Sequence, residues 1–333
     1  MKIETIAQEG YERVAKCEDP ESGLRAVIAV HDTTLGPALG GLRMWPYASW
    51  DDAIFDVLRL SKGMTYKSAV ADTGLGGGKS VIIANPKTDK SPQLFEAMGK
   101  FVDSFEGKYI TAEDVGTSVA DMIQVRKGTQ RVTGLPLDMG SSGDPSPWTA
   151  LGTFVGMKAC LEETFGNASF KDRTVAIQGC GHVAGVRARS LAEVGAQLYL
   201  ADIAPEKATA LAEETGGEVV DPAKILSMEC DILSPNALGA VVNDETLPNF
   251  HTKIIAGAAN NILLREEHGQ RLQEAGILYA PDNLITAGGI INVSIEVEGE
   301  YDEGKSRVKV ENIYHALKRV FEISNEQNIS TNE

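Results

Sequence analysis

Lys79 closes a glycine run in "MTYKSAVADTGLGGGKSVII", and Lys67 lies twelve residues before it. A glycine run ending in Lys-Ser first suggests a loop that wraps phosphates. Such a loop requires Gly, four residues, then Gly-Lys-Ser/Thr, so that successive backbone N–H groups face the ligand. Counting back from Gly78-Lys79-Ser80 puts Thr73 where the first glycine must stand, and Gly74 is one residue too close. The lysine therefore needs another task. A lysine in a water-poor, glycine-lined cleft loses the solvation of its charged form, and a second cation nearby adds to the effect. Of two such lysines, one can stay charged and clamp a carboxylate while the other works as acid and base. Asp114, in "YITAEDVGTS", ends a predicted strand and could accept a proton from an amine. Two surface lysines and a helix-capping aspartate would show the same spacing, so spacing alone leaves both readings open.

A second motif stands in "VAIQGCGHVAG": Gly179-x-Gly181-x-x-Ala184, with Cys180, His182 and Val183 between. The first glycine permits a tight turn, and the second lets backbone approach a pyrophosphate at a helix N-terminus. The small third residue lets helix and strand pack closely. An apolar strand precedes the turn and a helix follows. The next strand ends in "YLADI", which places Asp202 twenty-three residues after Gly179. A carboxylate there accepts from ribose hydroxyls and repels a 2′-phosphate, so the pattern favours NAD over NADP. A Rossmann-type domain that binds another ligand, or none, would show the same turn. His182, at a helix start where partial positive charge gathers, either donates a ring N–H to the pyrophosphate or stands exposed. Carboxylate clamp, tuned lysine, proton-shuttling carboxylate and NAD together suit one reaction. It is the oxidation of an α-amino acid to an imine, hydrolysed to a 2-oxo acid and ammonia.

These groups need elements to hold them. "LRAVIAVHDT" (24–33) is β-branched and apolar enough for a strand, and "KSVIIANP" (79–86) and "GKYITAEDVG" (107–116) each read as a strand running into a loop. Ala53, Ile54, Val57, Leu58 and Leu60 fall at helical spacing behind Ser49 and an acidic first turn. From 173 onward apolar strands alternate with helical stretches, which predicts a parallel sheet with helices on both faces. The last such stretch, 312–327, is amphipathic, with Ile313, Leu317, Val320 and Ile323 on one face. Residues 132–148 are dense in Gly, Pro and Ser and mark a change of composition. The expected division is therefore a substrate-binding and catalytic domain over 1–135 and an NAD-binding domain over 136–290. A C-terminal helical segment, 291–333, is expected to return to the first domain. The fold class is α/β: an N-terminal α/β substrate domain plus a Rossmann-type doubly wound NAD-binding domain, with a cleft between them.

At 333 residues the chain is long enough for about two ordinary domains. A net charge of -16 leaves no basic footprint for nucleic acid. No apolar run approaches a membrane span, and no basic stretch followed by an apolar one stands at Met1. Cys17, Cys160, Cys180 and Cys230 are widely spaced without a CxxC pair, which predicts reduced thiols, no metal site and a cytoplasmic protein.

The chain resembles the glutamate/leucine/phenylalanine/valine dehydrogenase family, and within it the leucine dehydrogenase branch. The likeness runs nearly end to end, from "HDTTLGPALGGLRMWPY" through "LSKGMTYK", "LGGGK", "YITAEDVGTS", "GSSGDPSP", "CDI", "ALGA" and "IIAGAANN" to "YAPDNLITAGGIINV". The resemblance implies that Lys67 binds the substrate carboxylate, that Lys79 activates the water or polarises the carbonyl, and that Asp114 relays protons at the amino group. It implies that the glycine run lets substrate and nicotinamide sit close to Lys79. It places Asn261 near the nicotinamide and the amino group, and Ser146 and Thr149 at the cofactor side of the cleft. Leu39, Gly40, Met64, Ala112, Ile290 and Val293 would line a side-chain pocket in which a glutamate side chain finds no basic partner. Plain core packing is the other reading of Leu39, Met64 and Ile290.

The implied activity is reversible, NAD-dependent deamination of a branched-chain L-amino acid (leucine, valine or isoleucine) by a homo-oligomer. A valine, phenylalanine or tryptophan dehydrogenase would differ only in pocket volume. A catalytically silent NAD-binding regulator would not need two lysines and an aspartate. The chain departs from the leucine branch at Asp72 and Thr73, where small and apolar residues are usual, and at His182, where Asn is common. It also has Asn236 for the usual Cys and Asp144 for the usual Asn. It ends at "STNE" without a last helix-forming segment, which bears on stability or assembly.

Overall fold

The computed structural model describes residues 1–237 and 239–333; Leu238, inside the quoted "ALGA", lies outside them. The chain forms two compact units. The first comprises Met1–Pro145 and Ile290–Glu303. Its strands are β1 (Lys2–Ile6), β2 (Arg13–Asp19), β3 (Leu24–Asp32), β4 (Ala38–Trp45), β5 (Gly76–Ile83) and β6 (Tyr109–Glu113), with helices α1 (Trp50–Val70), α2 (Pro92–Asp103) and α3 (Val119–Val125). They form one sheet in the order β1-β2-β3-β5-β4-β6, antiparallel as far as β5 and parallel from β5 through β4 to β6.

Successive residues of a strand face opposite sides, and β3 follows this rule. Ala26, Ile28 and Val30 join the cluster of Phe95, Phe101 and Phe105, whereas Val27 and Ala29 meet Ala53 and Val57 of α1. The helix begins where its sequence dictates, with Ser49 Oγ accepting from Asp52 N. One element departs from expectation. Strand β5 starts at Gly76, not Lys79, so Gly76, Gly77 and Gly78 of the run are themselves strand and buried, whereas Gly74 stands exposed before it. Gly78 is level with Val30 and Gly76 with Ala38. Their amides belong to the sheet and do not form an anion cradle.

The second unit comprises Ser146–Gly289 and Gly304–Glu333. It holds α4 (Ser146–Phe165), β7 (Thr174–Gln178), α5 (His182–Glu193), β8 (Gln197–Ala201), α6 (Pro205–Thr215), β9 (Glu218–Val219), β10 (Glu229–Pro235), β11 (His251–Ile255), α7 (Glu267–Glu274), β12 (Leu278–Tyr279) and α8 (Asp282–Ile285). The sheet is parallel throughout, in the order β12-β11-β10-β7-β8-β9. Counted from β7, that is the doubly wound order 3-2-1-4-5-6, whose direction of winding reverses between β7 and β10. After α9 (Gly288–Glu298), the chain ends in α10 (Glu303–Glu311) and α11 (Ile313–Gln327).

The expected boundaries need correction. The first unit runs to Pro145, ten residues beyond 135, because the Gly/Ser loop is held by α9. Glu296 accepts from Gly134 N, Ser141 Oγ, Ser142 N and Ser142 Oγ at 2.6–3.2 Å, and Asn292 Nδ2 donates to Ser142 O. Only 290–303 of the C-terminal segment therefore joins the first unit. Helix α11 packs within the second, where Gly152 and Gly156 leave room on α4 for Ile313 and Leu317. Lys318 adds an ion pair to Glu163 at 3.0 Å.

Candidate active site

Three neighbouring strands of the first sheet carry the charged groups. Lys79 lies on β5, Arg43 on β4, and Asp114 directly follows β6. The offset that pairs Leu42 with Ser80 puts Gly41 beside Lys79, and Gly41 is level with Ala112 on the other side. A Cβ at Gly41 would stand 2.6 Å from Asp114 Cβ. The missing side chain thus opens the gap across which Lys79 reaches Asp114. Nζ meets Oδ2 at 2.7 Å, with the Lys79 side chain 7% and that of Asp114 23% exposed. Arg43 Nε approaches the same oxygen at 3.4 Å. Burial pushes the Asp114 carboxyl up, but Lys79 and Arg43 beside it outweigh burial and hold it below the usual carboxylate range.

Asp114 is also fixed through its backbone. Its N–H donates to Thr117 Oγ1 at 3.0 Å, and that hydroxyl donates to Leu42 O at 2.9 Å. The turn passes Gly116 at φ 81, where a Cβ would stand 2.1 Å from the Met44 carbonyl oxygen, a conformation and a space that only glycine suits. Arg43 is held in turn. Its Nη1 donates to Asp56 Oδ2 at 2.9 Å, Tyr47 OH donates to the same oxygen at 2.6 Å, and Arg59 takes Oδ1 at 2.8 Å. Neither Arg43 nor Asp56 was singled out from the sequence. The available signal was a cation between the buried residues Leu42 and Met44, in a strand otherwise apolar or glycine over 38–44.

The other candidates of this unit take places around the pair. Lys67 is half-buried in the last turn of α1, next to Ser68, whose hydroxyl donates to Gly76 O at 3.3 Å. Met64 is half-buried one turn earlier. Leu39 and Gly40 are buried on β4, and Tyr109 OH donates to Gly40 O at 2.6 Å. Ala112 is half-buried on β6, level with Gly41, and Ile290 and Val293 are buried on α9. No Lys, Arg or His is among these pocket candidates.

In the second unit the glycine turn joins β7 to α5 at the edge where the strand order reverses. Gly179 has φ 91, and a Cβ there would stand 2.9 Å from that of Ala237. Gly181 caps α5 with no side-chain cap bond, and a Cβ there would meet nothing within 4 Å. Open space before an uncapped helix start suits an anion such as a pyrophosphate. His182 is exposed, Val183 half-buried, and Cys180 and Ala184 buried. Asp202 follows β8 and braces the turn, with Oδ2 accepting from Cys180 N at 2.7 Å and Oδ1 from Ala204 N at 2.8 Å. Each oxygen keeps a lone pair for a hydroxyl donor. Asn261 is exposed at φ 53, with its carbonyl accepting from Ala240 N at 2.7 Å. Ser146 and Thr149 lie in the first turn of α4.

This combination defines a nicotinamide-dependent dehydrogenase acting on amino acids. The chain belongs to the Glu/Leu/Phe/Val dehydrogenase family. The profile described as "Glu/Leu/Phe/Val dehydrogenase, dimerisation domain" matches residues 11–131, and "Glutamate/Leucine/Phenylalanine/Valine dehydrogenase" matches 199–330. It is 51% identical to leucine dehydrogenase of Thermoactinomyces intermedius, over 99% of this chain and 90% of that protein. Phenylalanine dehydrogenase of Bacillus thermotolerans is 48% identical, over 97% and 86%. The crystal structure of L-tryptophan dehydrogenase from Nostoc punctiforme superposes with a TM-score of 0.82 at 44% identity, covering 97% of this chain and 92% of that one. Among the described residues, no helix is long and apolar enough to cross a membrane.

Proposed function

We propose that this chain catalyses the reversible NAD-dependent deamination of branched-chain aliphatic L-amino acids. The observation that carries the reading is the joining, in one unit, of the Lys79–Asp114 pair with apolar pocket candidates. Leu39, Met64, Ala112, Ile290 and Val293 suit an aliphatic side chain, and none could meet a side-chain carboxylate.

Lys67 holds the substrate carboxylate. Asp114, kept ionised by Lys79 and Arg43, takes a proton from the substrate ammonium, so that the amine's lone pair can support loss of the α-hydrogen. A nicotinamide bound beside the substrate would supply the hydride acceptor for that hydrogen. Lys79 orients the water that attacks the imine carbon and stabilises the oxygen as the carbonyl forms, the water's two protons passing one to the nitrogen and one to solvent. Asp114 then returns its proton to the departing ammonia. Gly179–Ala184 would receive the pyrophosphate and Asp202 the adenosine ribose, with Asn261, Ser146 and Thr149 toward the nicotinamide end. The single cation near Asp202 in sequence, Lys207, follows Glu206, which supports NAD over NADP. A homo-oligomer in solution is part of the same proposal.

The test is NADH consumption with ammonia and a panel of 2-oxo acids. Branched-chain oxo acids should give the highest kcat/KM. A preference for phenylpyruvate or indolepyruvate would move the assignment to an aromatic branch, and no turnover with any of them would reject it.

A further inference from the structure

The second unit hides a cation that the proposed chemistry does not use. Arg187 lies on α5, just past the glycine turn, and is 0% exposed. A buried guanidinium is costly unless carboxylates or a full set of acceptors meet it. Here neither is present. Nη2 donates to Ser234 Oγ at 2.9 Å and to Asn236 Oδ1 at 2.7 Å, both neutral. Nε and Nη1 find no hydrogen-bond partner among the described residues. Burial pushes its ionisation down to about 9, so it stays protonated at neutral pH.

Its position gives that charge a direction. Asn236 N donates to Gln178 O at 2.7 Å, just before the glycine turn, and the next residue, Ala237, lies against Gly179. Asn236 Oδ1 also accepts from Ala258 N at 2.9 Å, at the head of the loop that carries Asn261. The guanidinium therefore sits under the point where the β7 and β10 loops diverge, the ligand-binding edge of a doubly wound sheet. Asn236 thus offers one full carbonyl acceptor to both the guanidinium and the loop.

We infer that Arg187 is a buried counter-charge for the pyrophosphate of the dinucleotide, acting from beneath the glycine turn while its bond to Asn236 holds the Ala258–Asn261 loop in place. This rests on the reading of the second unit as a dinucleotide site. In a poorly solvated interior a fixed charge acts over several ångströms with little screening. An uncompensated cation there raises affinity for phosphate-bearing ligands and leaves an uncharged fragment unaffected.

The test uses the full-length protein and three ligands: NADH by fluorescence titration, and ADP-ribose and adenosine by competition. Arg187→Met should weaken NADH and ADP-ribose about ten-fold or more, with adenosine changed less than about two-fold. Arg187→Lys, which keeps the charge, should recover most of the loss. Equal weakening of adenosine and ADP-ribose would make Arg187 a scaffold residue and overturn the inference, as would unchanged NADH binding. Should Arg187→Met not fold, Asn236→Asp places a carboxylate on the guanidinium without removing side-chain atoms. It must then show the same phosphate-selective loss, or the inference falls. A wild-type protein that binds no NADH would reject the dinucleotide reading itself, before any variant is compared.

Discussion

Replacing Gly41 by Ala tests whether the Lys79–Asp114 pair, proposed as catalytic, depends on the gap between its strands. The added methyl would stand 2.6 Å from Asp114 Cβ and 3.2 Å from its Cγ. Two carbons rest comfortably no closer than about 3.5 Å, so Asp114 must retreat by roughly 0.9 Å. Its bond to Lys79 is 2.7 Å long. A retreat of that size along the bond carries it past about 3.2 Å, beyond a good N–H···O contact. Misplacing a reacting group by about 1 Å can cost on the order of 100-fold in rate, or about 2.7 kcal/mol at 1.36 per decade. We expect kcat to fall by that order, with NADH affinity unchanged because the glycine turn proposed to bind it belongs to the other unit. Some loss of stability accompanies this, since a Cβ moves only with its backbone and the new methyl also stands 3.0 Å from Glu113 O. Gly63→Ala is the control: nothing lies within 4 Å of its added methyl, and alanine is the better helix former by about 1 kcal/mol. Steady-state kinetics and melting temperatures of both variants decide the matter. Full activity in Gly41→Ala would show that Asp114 does not need its observed position, and would refute the assignment of the pair.

Three further outcomes follow from the same geometry. Lys79→Ala should lower kcat by about 10² to 10⁴-fold while NADH affinity by fluorescence stays near wild type; lost cofactor binding with turnover spared would send the lysine back to a phosphate role. Arg43→Met leaves Lys79 alone against burial at Asp114, so that carboxyl should titrate at higher pH and the acid limb of kcat/KM should move upward. A depressed carboxyl contributes stability that is present above its unfolded value and lost as pH falls, so the melting-temperature gap between wild type and Arg43→Met should shrink in acid; a gap that widens would contradict the pairing. Asp202→Ser should narrow the preference for NAD over NADP chiefly by weakening NAD, because it removes both a ribose acceptor and the brace on Cys180 N; equal use of both cofactors by the wild type would mean that Lys207 or His182 meets the 2′-phosphate.

What the sequence disclosed was mostly local. The glycine turn, its flanking strand and helix, and the Ser49 cap each lie within a few residues of the signal that predicts them. The doubly wound order follows because parallel strands require crossovers of fixed hand. What stayed hidden was settled by distant partners. Glycine disfavours strands, yet Gly76–Gly78 are strand because β3 and β4, some 40 residues away, flank them. Nothing near Arg43 in sequence marks it, because Asp114, which it meets, lies 71 positions later. The unit boundary moved because Glu296 binds the connector from more than 150 residues away, and no composition rule reports such a bond. Asn236 was visible as a departure, but only its fully buried partner Arg187 gives the departure a meaning.

Placing Lys79 on a strand and not on a loop has a physical consequence for the opening motif. Adjacent strands lie about 4.8 Å apart, so groups on β5 and β6 are separated by two spacings with β4 between them. Any ordinary residue at Gly41 would fill that space and force the two charges to meet over its side chain, nearer to water. Glycine removes the obstacle at a strand position where it costs about 0.5–1 kcal/mol relative to alanine. In exchange the lysine crosses an apolar sheet surface to a carboxylate already aligned by Thr117. A flexible four-carbon stem ending in a compact ammonium suits that passage, whereas the broad planar fork of arginine does not. Arg43 instead approaches from the intervening strand and anchors to Asp56. The two cations therefore differ in kind because their routes differ: Lys79 reaches the carboxylate across the gap from β5, and Arg43, braced on Asp56, lies beside it from β4.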